Sequence, residues 1–154
     1  LDTDGNIVEK ITTTDDQSEH DAHFSPDGKK IAFANGRIDG KETHLELIDL
    51  ESGSKTVLRT SIGRIYGLSW SSDGDKIAFV DSPGGDDDDA DIFIYSIKDQ
   101  SFKQITDDPS WDHMPVFCND SQTMYFTSYR SGEERIYQLN PYSRPFLKIE
   151  RARK

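Results

Sequence analysis

Two acid–histidine pairs are the first residues whose types and spacing could do chemistry. Glu19-His20 and Asp112-His113 stand at equivalent places, each just ahead of an aromatic residue, and Tyr66 occupies the corresponding place between them. Neutral imidazole nitrogen and carboxylate oxygen are ligands that suit Zn²⁺ or Mn²⁺. The pairs are therefore a candidate divalent-cation site. The alternative is that both histidines only hydrogen-bond neighbouring structural units or solvent.

An acid-rich segment is the second candidate. Because carboxylate oxygens are the ligands that Ca²⁺ prefers, a dense run of acids could collect this cation. The glycines precede the acids here, which is not the spacing of an EF-hand loop, and a run of like charges is commonly a solvated, self-repelling loop. The candidate calcium ligands are Asp86, Asp87, Asp88, Asp89 and Asp91.

Nucleophilic catalysis has no support in the sequence. The segment Gly67-Leu-Ser69-Trp-Ser71 lacks the final glycine of a nucleophile elbow. Cys118 is the one cysteine, so it can form neither an internal disulfide nor a cysteine-based zinc site. No glycine-rich phosphate loop is present either. We therefore expect no complete catalytic set in this chain.

An internal repeat must position all of these residues. Two sets of segments recur in register, which indicates one structural unit used several times. The first set is FSPDGKKIAF from Phe24, WSSDGDKIAF from Trp70 and FCNDSQTMYF from Phe117, at spacings of 46 and 47 residues. The second set is LDTDGNIVEKIT, IDLESGSKTVL, YSIKDQSFKQIT and LNPYSRPFLKI.

Each unit predicts four short strands and no amphipathic helix. Asp-Gly between apolar runs, as at Gly28 and Gly74, is typical of a hairpin turn. The strand that follows each turn alternates, with Phe33, Phe79 and Phe126 on its inward face. The third unit has Asn-Asp-Ser where the first has Pro-Asp-Gly, so its first turn is expected to be looser.

Four strands in about 45 residues is the period of a β-propeller blade. We therefore predict an all-β fold, a β-propeller of four-stranded antiparallel blades. The expected organisation is a single partial propeller domain over 1–154, with the end of one blade at 1–12, whole blades at 13–58, 59–105 and 106–149, and a tail at 150–154. Closed propellers have about 4–8 blades. Because the chain opens inside a hairpin, a piece of a longer propeller is favoured over a homodimer of three plus three blades.

The repeated segments resemble a known family. SPDGKKIAF, SSDGDKIAF and MYFTSYRSGEERIYQL are similar to the TolB-like propeller repeat, which also occurs in tricorn-type and prolyl-oligopeptidase-type propellers. The resemblance covers about residues 1–149. It implies a scaffold whose function resides in sites added to it, and a periplasmic, cell-surface or secreted location.

The propeller prediction assigns the candidate residues to one end of the ring. Longer loops and blade connections share that end, where binding residues usually collect. Glu19, His20, Tyr66, Asp112 and His113 are expected at the rim of the central channel. Some propellers, such as oligogalacturonate lyases, bind a metal ion through histidines that line the channel. Resemblance to them implies a divalent-cation site at this rim.

Two further aromatic residues flank the same end. Trp111 and Tyr129 have no aromatic equivalents in the other units, so repeat packing does not explain them. They are candidate anchors for a protein or peptide partner, since exposed tryptophan and tyrosine commonly dominate interfaces.

Charge and composition limit the class of partner. The net charge is −11, from 29 acidic and 18 basic residues. The negative electrostatic field of such a chain repels nucleic acid. No apolar run approaches the ~18 residues of a membrane span. No cofactor is expected beyond a possible Ca²⁺ or another divalent cation.

The sequence favours a non-enzymatic module that binds protein or peptide on the loop face at the channel mouth. The alternative is the propeller portion of an enzyme, either a prolyl-oligopeptidase-like serine peptidase with substrate gating or a channel-metal lyase.

Overall fold

Three antiparallel sheets form the part of the chain that the computed structural model describes, which is residues 10–12, 15–37, 42–84 and 90–142. Within these ranges there is no helix, and so none that is long and apolar enough to cross a membrane. The first and second sheets have four strands each, and the third has three described strands. The prediction of an all-β partial propeller is confirmed.

The strands follow chain order within each sheet. Each pairs antiparallel with the next, as repeated hairpins require. The strands are β1 Gln17–Phe24, β2 Lys30–Arg37, β3 Thr43–Asp49, β4 Lys55–Ser61, β5 Arg64–Trp70, β6 Lys76–Ser82, β7 Asp91–Ser96, β8 Ser101–Gln104, β9 Asp112–Phe117, β10 Met124–Ser128 and β11 Arg135–Leu139. The fourth strand predicted for the third blade, and the hairpin predicted at the start of the chain, fall largely outside the described residues. The predicted blade boundaries stay a prediction.

This order gives the sheets two different ends. The β1–β2, β3–β4, β5–β6, β7–β8 and β9–β10 turns lie at one end, which we call the turn end. The β2–β3, β6–β7 and β10–β11 loops and the connections between sheets lie at the other, which we call the loop end. The candidate residues belong to the loop end.

The sheets pack face to face because both sides of their central strands are apolar. In β6, Ile77 and Phe79 pack with the first sheet, whereas Ala78 and Val80 pack with the third. We call the side of a sheet toward the preceding sheet its leading face and the side toward the following sheet its trailing face. Alternation along one strand thus builds two cores at once.

The repeated phenylalanines occupy equivalent buried sites, as the sequence predicted. Phe33, Phe79 and Phe126 all lie on leading faces and are almost fully buried. The Phe79 ring is stacked on Phe93 with a centroid distance of 5.9 Å and meets Phe102 edge-on at 6.0 Å. Such ring pairs stabilise beyond the apolar area that they bury.

A bulge recurs in the innermost strand of every sheet. Asp21, Gly67 and Met114 adopt positive φ angles of 58°, 65° and 52°. The carboxylate of Asp21 accepts a hydrogen bond from the backbone N–H of Gly67 and another, at 3.3 Å, from that of Leu68. The bulge of the first sheet therefore fastens the inner edge of the second.

The first turn of the third sheet is not looser than the others, so that expectation was wrong. Ser121 has a φ of 53° where the other two sheets have glycines with similar angles. Its Oγ accepts a hydrogen bond from the Asp73 N–H at 3.0 Å and lies 2.7 Å from Ser72 Oγ. The serine that replaces glycine ties this turn to the turn of the preceding sheet.

Candidate functional site

Three parallel rings form the centre of the candidate site at the loop end. Trp111 directly precedes β9, His113 lies in β9 and Tyr129 directly follows β10. The Trp111 and His113 ring centroids are 4.1 Å apart with planes 13° from parallel. Trp111 and Tyr129 are 5.8 Å apart and 2° from parallel. Pairing of β9 with β10 brings these rings together, because His113 stands opposite Thr127 and thus beside the end of β10.

Tyr66 joins these rings from the second sheet. The Trp111 indole N–H donates a hydrogen bond to the Tyr66 hydroxyl at 2.8 Å. The guanidinium of Arg64 lies over the Tyr66 ring, 5.3 Å from its centroid. We call Tyr66, Trp111, His113 and Tyr129 the aromatic cluster. It spans the junction of the second and third sheets.

The members of the aromatic cluster differ in accessibility. His113 is buried, and its Nε2 lies 3.0 Å from the Glu134 carboxylate without hydrogen-bond alignment. Trp111 is half-buried, whereas Tyr129 keeps 39% of its surface exposed. Tyr129 is therefore the most accessible ring of the aromatic cluster.

Asp112 has a different role from its neighbour His113. Its side chain is fully buried and accepts two hydrogen bonds from one Arg130 nitrogen, at 2.9 and 2.7 Å. The same guanidinium lies 5.0 Å from the ring centroids of Phe126 and Tyr137, on the leading face. Successive strand residues point to opposite faces. The acid and the imidazole of this pair therefore do not face one cavity, and Asp112 anchors the start of the β10–β11 loop.

Glu19 and His20 lie apart from the aromatic cluster. They belong to β1 in the first sheet, and the second sheet stands between that sheet and the third. Both line a pocket of about 220 Å³ with Ile11, Phe33 and Ile48 among its walls. Of the seven predicted binding residues, the structure thus brings four together in the aromatic cluster. Asp112 adjoins the cluster but faces the opposite side of β9. Glu19 and His20 lie in a separate, mainly apolar pocket.

The candidate calcium ligands are only partly within the described residues. Asp86, Asp87, Asp88 and Asp89 lie outside them. Asp91 begins β7 and is buried, where it accepts hydrogen bonds from Gln104 Nε2 at 2.9 Å and Thr106 Oγ1 at 3.2 Å.

Burial is also the main influence on how Asp91 ionises. Desolvation raises the pKa of Asp91 to about 6, and repulsion from Asp107 and Asp112 acts in the same direction. Within the part of the chain that the structure describes, no group of three or more His, Cys, Asp or Glu side chains could hold a metal ion.

Sequence reasoning missed two charged residues at the site. Arg130 stands at the repeat position of Arg37, but Pro83 fills that position in the second unit, so the repeat gave only a partial signal for a basic residue there. Glu134 lies in the β10–β11 loop, where no periodic pattern operates, and no signal identifies it. An ion pair at the loop end was also missed. In it the Arg59 guanidinium from β4 binds the buried carboxylate of Asp81 in β6.

Comparison with known proteins gives relatives that share this repeat. The TolB protein of the Tol-Pal system from Helicobacter pylori J99 is 31% identical over 99 residues, 64% of this chain and 23% of its own length. The uncharacterized peptidase YuxL of Bacillus subtilis is 24% identical over 135 residues, 82% of this chain and 20% of its own length. The chain thus spans about a fifth to a quarter of the length of these relatives.

Solved structures agree with the sequence relatives. TolB from Acinetobacter baumannii superposes with a TM-score of 0.73 at 26% identity, over 90% of this chain and 33% of that one. An oligogalacturonate lyase in complex with manganese superposes with a TM-score of 0.69 at 18% identity, over 89% of this chain and 39% of that one. This likeness shows the shared fold alone. The fold therefore occurs in peptidases and lyases as well as in TolB. The family model described as the TolB beta propeller domain matches residues 1–149, and the chain belongs to that family.

Proposed function

We propose that this domain is an interaction module that binds a protein or peptide partner at the loop end, with the aromatic cluster as its main contact. The observation that supports this most is the state of Tyr129. Its ring is exposed yet already oriented, because it lies parallel to Trp111, which in turn is hydrogen-bonded to Tyr66 in the neighbouring sheet. A ring fixed before binding loses little conformational freedom when a partner packs on it.

The chemistry of the surroundings also favours a peptide. Tyrosine and tryptophan offer apolar area together with a hydrogen-bonding group, a combination enriched in interfaces. The Glu134 carboxylate beside His113 and the carboxylates of Asp107 and Asp108 supply acceptors for backbone or side-chain N–H groups. The ion pair between the partly exposed Arg130 guanidinium and the buried Asp112 carboxylate keeps the loop that carries Tyr129 in position.

The test begins with selection of displayed random peptides on the purified chain, followed by calorimetry of the strongest binder. Tyr129→Ser should weaken that binding by at least about tenfold, as loss of an anchoring aromatic residue does. Tyr142→Ser is the matched control, because Tyr142 is exposed to 41%, close to the 39% of Tyr129, but lies at the turn end. Equal affinities for the parent and Tyr129→Ser would contradict the proposal.

A second candidate is that the domain is the propeller portion of a larger enzyme. The similarity to the peptidase YuxL, over 82% of this chain, supports the peptidase form of this proposal. The complete reading frame tests it. A hydrolase segment with a Gly-x-Ser-x-Gly motif would support a peptidase, and its absence from the whole frame would contradict that assignment. Manganese-dependent cleavage of oligogalacturonate by the full-length protein would instead support a lyase.

We also propose a periplasmic or cell-surface location. Membership of the TolB propeller family supports it. Fractionation of cells that produce the tagged full-length protein tests it, and recovery in the cytosolic fraction alone would contradict it.

A further inference from the structure

A polar pocket of about 360 Å³ lies at the turn end, between the first and second sheets. One wall is the β1–β2 hairpin, with Pro26, Asp27 and Lys30, and the other is the β5–β6 hairpin, with Asp73 and Gly74. We call it the turn pocket. Sites for small molecules commonly measure about 300–1,000 Å³, so the turn pocket has room for a compact ligand. It is at the opposite end of the sheets from the aromatic cluster.

The junction between the second and third sheets shows what links the corresponding turns there. The Ser121 hydroxyl accepts a hydrogen bond from the Asp73 N–H at 3.0 Å and lies 2.7 Å from the Ser72 hydroxyl. Between the first and second sheets, Pro26 stands at the place of Ser72. Gly74 stands at the place of Ser121. Since neither residue has a hydroxyl, this link has no counterpart there, and the turn pocket occupies its place.

The turn pocket keeps hydrogen-bonding groups of both kinds. The Asp27 N–H is the repeat counterpart of the Asp73 N–H, and it donates to no other residue in the described part of the chain. One carboxylate oxygen of Asp27 accepts hydrogen bonds from the Ser25 hydroxyl and the Lys29 N–H. The bond from Ser25 above all lowers the pKa of Asp27, because it favours the carboxylate. Asp73 adds a second carboxylate on the other wall.

This set of groups suits a hydroxyl better than a cation. A hydroxyl can accept a hydrogen bond from the Asp27 N–H and also donate one to a carboxylate, whereas an ammonium group has no acceptor for that N–H. The ammonium group of Lys30, which pairs with Asp49 at 2.8 Å, already places a positive charge in the wall. A ligand with several neighbouring hydroxyls can use both carboxylates at once.

We propose that the turn pocket binds a small polyhydroxylated molecule of about the size of a hexose. One ligand hydroxyl takes the place that the Ser121 hydroxyl holds between the second and third sheets. It accepts a hydrogen bond from the Asp27 N–H and donates one to the Asp27 carboxylate. A neighbouring hydroxyl donates to the Asp73 carboxylate on the other wall.

The first test is a two-dimensional amide NMR titration of the purified chain with glucose, galactose and mannose. At least one of these sugars should shift the amide signals of Asp27, Ser72 and Gly74 in a saturable way and leave the signals of the loop end unchanged. Methylammonium tests the alternative that the carboxylates collect a cation. Saturable shifts with methylammonium but with no sugar would overturn the proposal, and so would the absence of a saturable shift at the turn pocket with any of the three sugars.

The second test fills the turn pocket from within. Gly74→Ser supplies the missing hydroxyl, and Ser121 shows that a serine adopts a positive φ in the equivalent turn. A Cβ at Gly74 would lie 3.7 Å from Pro26 Cδ, an ordinary contact. The variant should raise the dissociation constant of the bound sugar by at least about tenfold.

Gly53→Ser is the matched control for this substitution. Gly53 is also at the turn end and has a φ of 69°, close to the 73° of Gly74, but a Cβ there would meet nothing within 4 Å. Circular dichroism verifies that both variants keep their strands. An unchanged dissociation constant for Gly74→Ser, or an equal rise for Gly53→Ser, would overturn the proposal.

Discussion

Replacing Asp91 with asparagine should stabilise the folded protein at pH 7 and leave its stability almost unchanged at pH 4. Asp91 is buried at the start of β7, and desolvation raises the pKa of its carboxyl group to about 6. The folded state therefore favours the protonated acid. The stability that this group contributes is present below about pH 4 and is lost as the pH rises through about 6.

The size of the effect follows from the raised pKa. A change from 3.8 to about 6 corresponds to at most about 3 kcal/mol between the two protonation states. Asparagine is neutral at every pH and nearly the same shape. Its oxygen can keep the hydrogen bond from Thr106, and a flipped Gln104 amide can present its oxygen to the new NH₂ group. We expect Asp91→Asn to gain up to about 3 kcal/mol at pH 7.

The assay is urea unfolding of the parent and variant at pH 4, 5, 6 and 7, followed by tryptophan fluorescence. Asp99→Asn is the control, because it changes the net charge equally at an exposed position. The stability difference for Asp91→Asn should grow between pH 4 and 7, and that for Asp99→Asn should not. A difference that is constant with pH, or a variant that is less stable at pH 7, would refute the reasoning.

Substitutions at three further residues test the packing at the site, at the turn end and in the core. Arg130→Met should lower the free energy of unfolding in urea by about 3–5 kcal/mol, because it leaves the buried Asp112 carboxylate unpaired. Arg135→Met, at an exposed ion pair, should lower it by less than about 1 kcal/mol. Ser121→Ala should lower the free energy of unfolding by about 1–2 kcal/mol, because it removes the hydrogen bonds between two turns. Ser121→Gly should lower it by less, because glycine adopts the positive φ without strain. Phe79→Ala should cost about 3–5 kcal/mol by calorimetry, and an effect below about 1 kcal/mol would contradict its place in the core.

The parts of the fold that sequence could predict are those set by local periodicity. Alternation within a strand and glycine at a tight turn act over a few residues, so the repeat placed Phe33, Phe79 and Phe126 correctly on buried positions. The repeat also implied that one blade's outer faces must be covered by neighbours. Both inferences needed only the order of residues along the chain.

The contacts at the site depend on distances between sheets, which the sequence does not encode directly. Trp111 was identified as unusual, but its hydrogen bond to Tyr66 exists only because packing brings the second and third sheets together. The role of Ser121 was missed for the same reason, since its partners lie in the preceding sheet. The opposite orientations of Asp112 and His113, by contrast, were available from strand alternation alone.

Hydrogen exchange measured by mass spectrometry, with and without the selected peptide, tests the proposed binding surface most directly. The account predicts slower exchange in residues 105–113 and 129–134, which surround the aromatic cluster, and no change at the turn end. Protection confined to the turns at 25–29, 71–75 and 118–123, or no protection at saturating peptide, would contradict the assignment of the loop end as the binding surface.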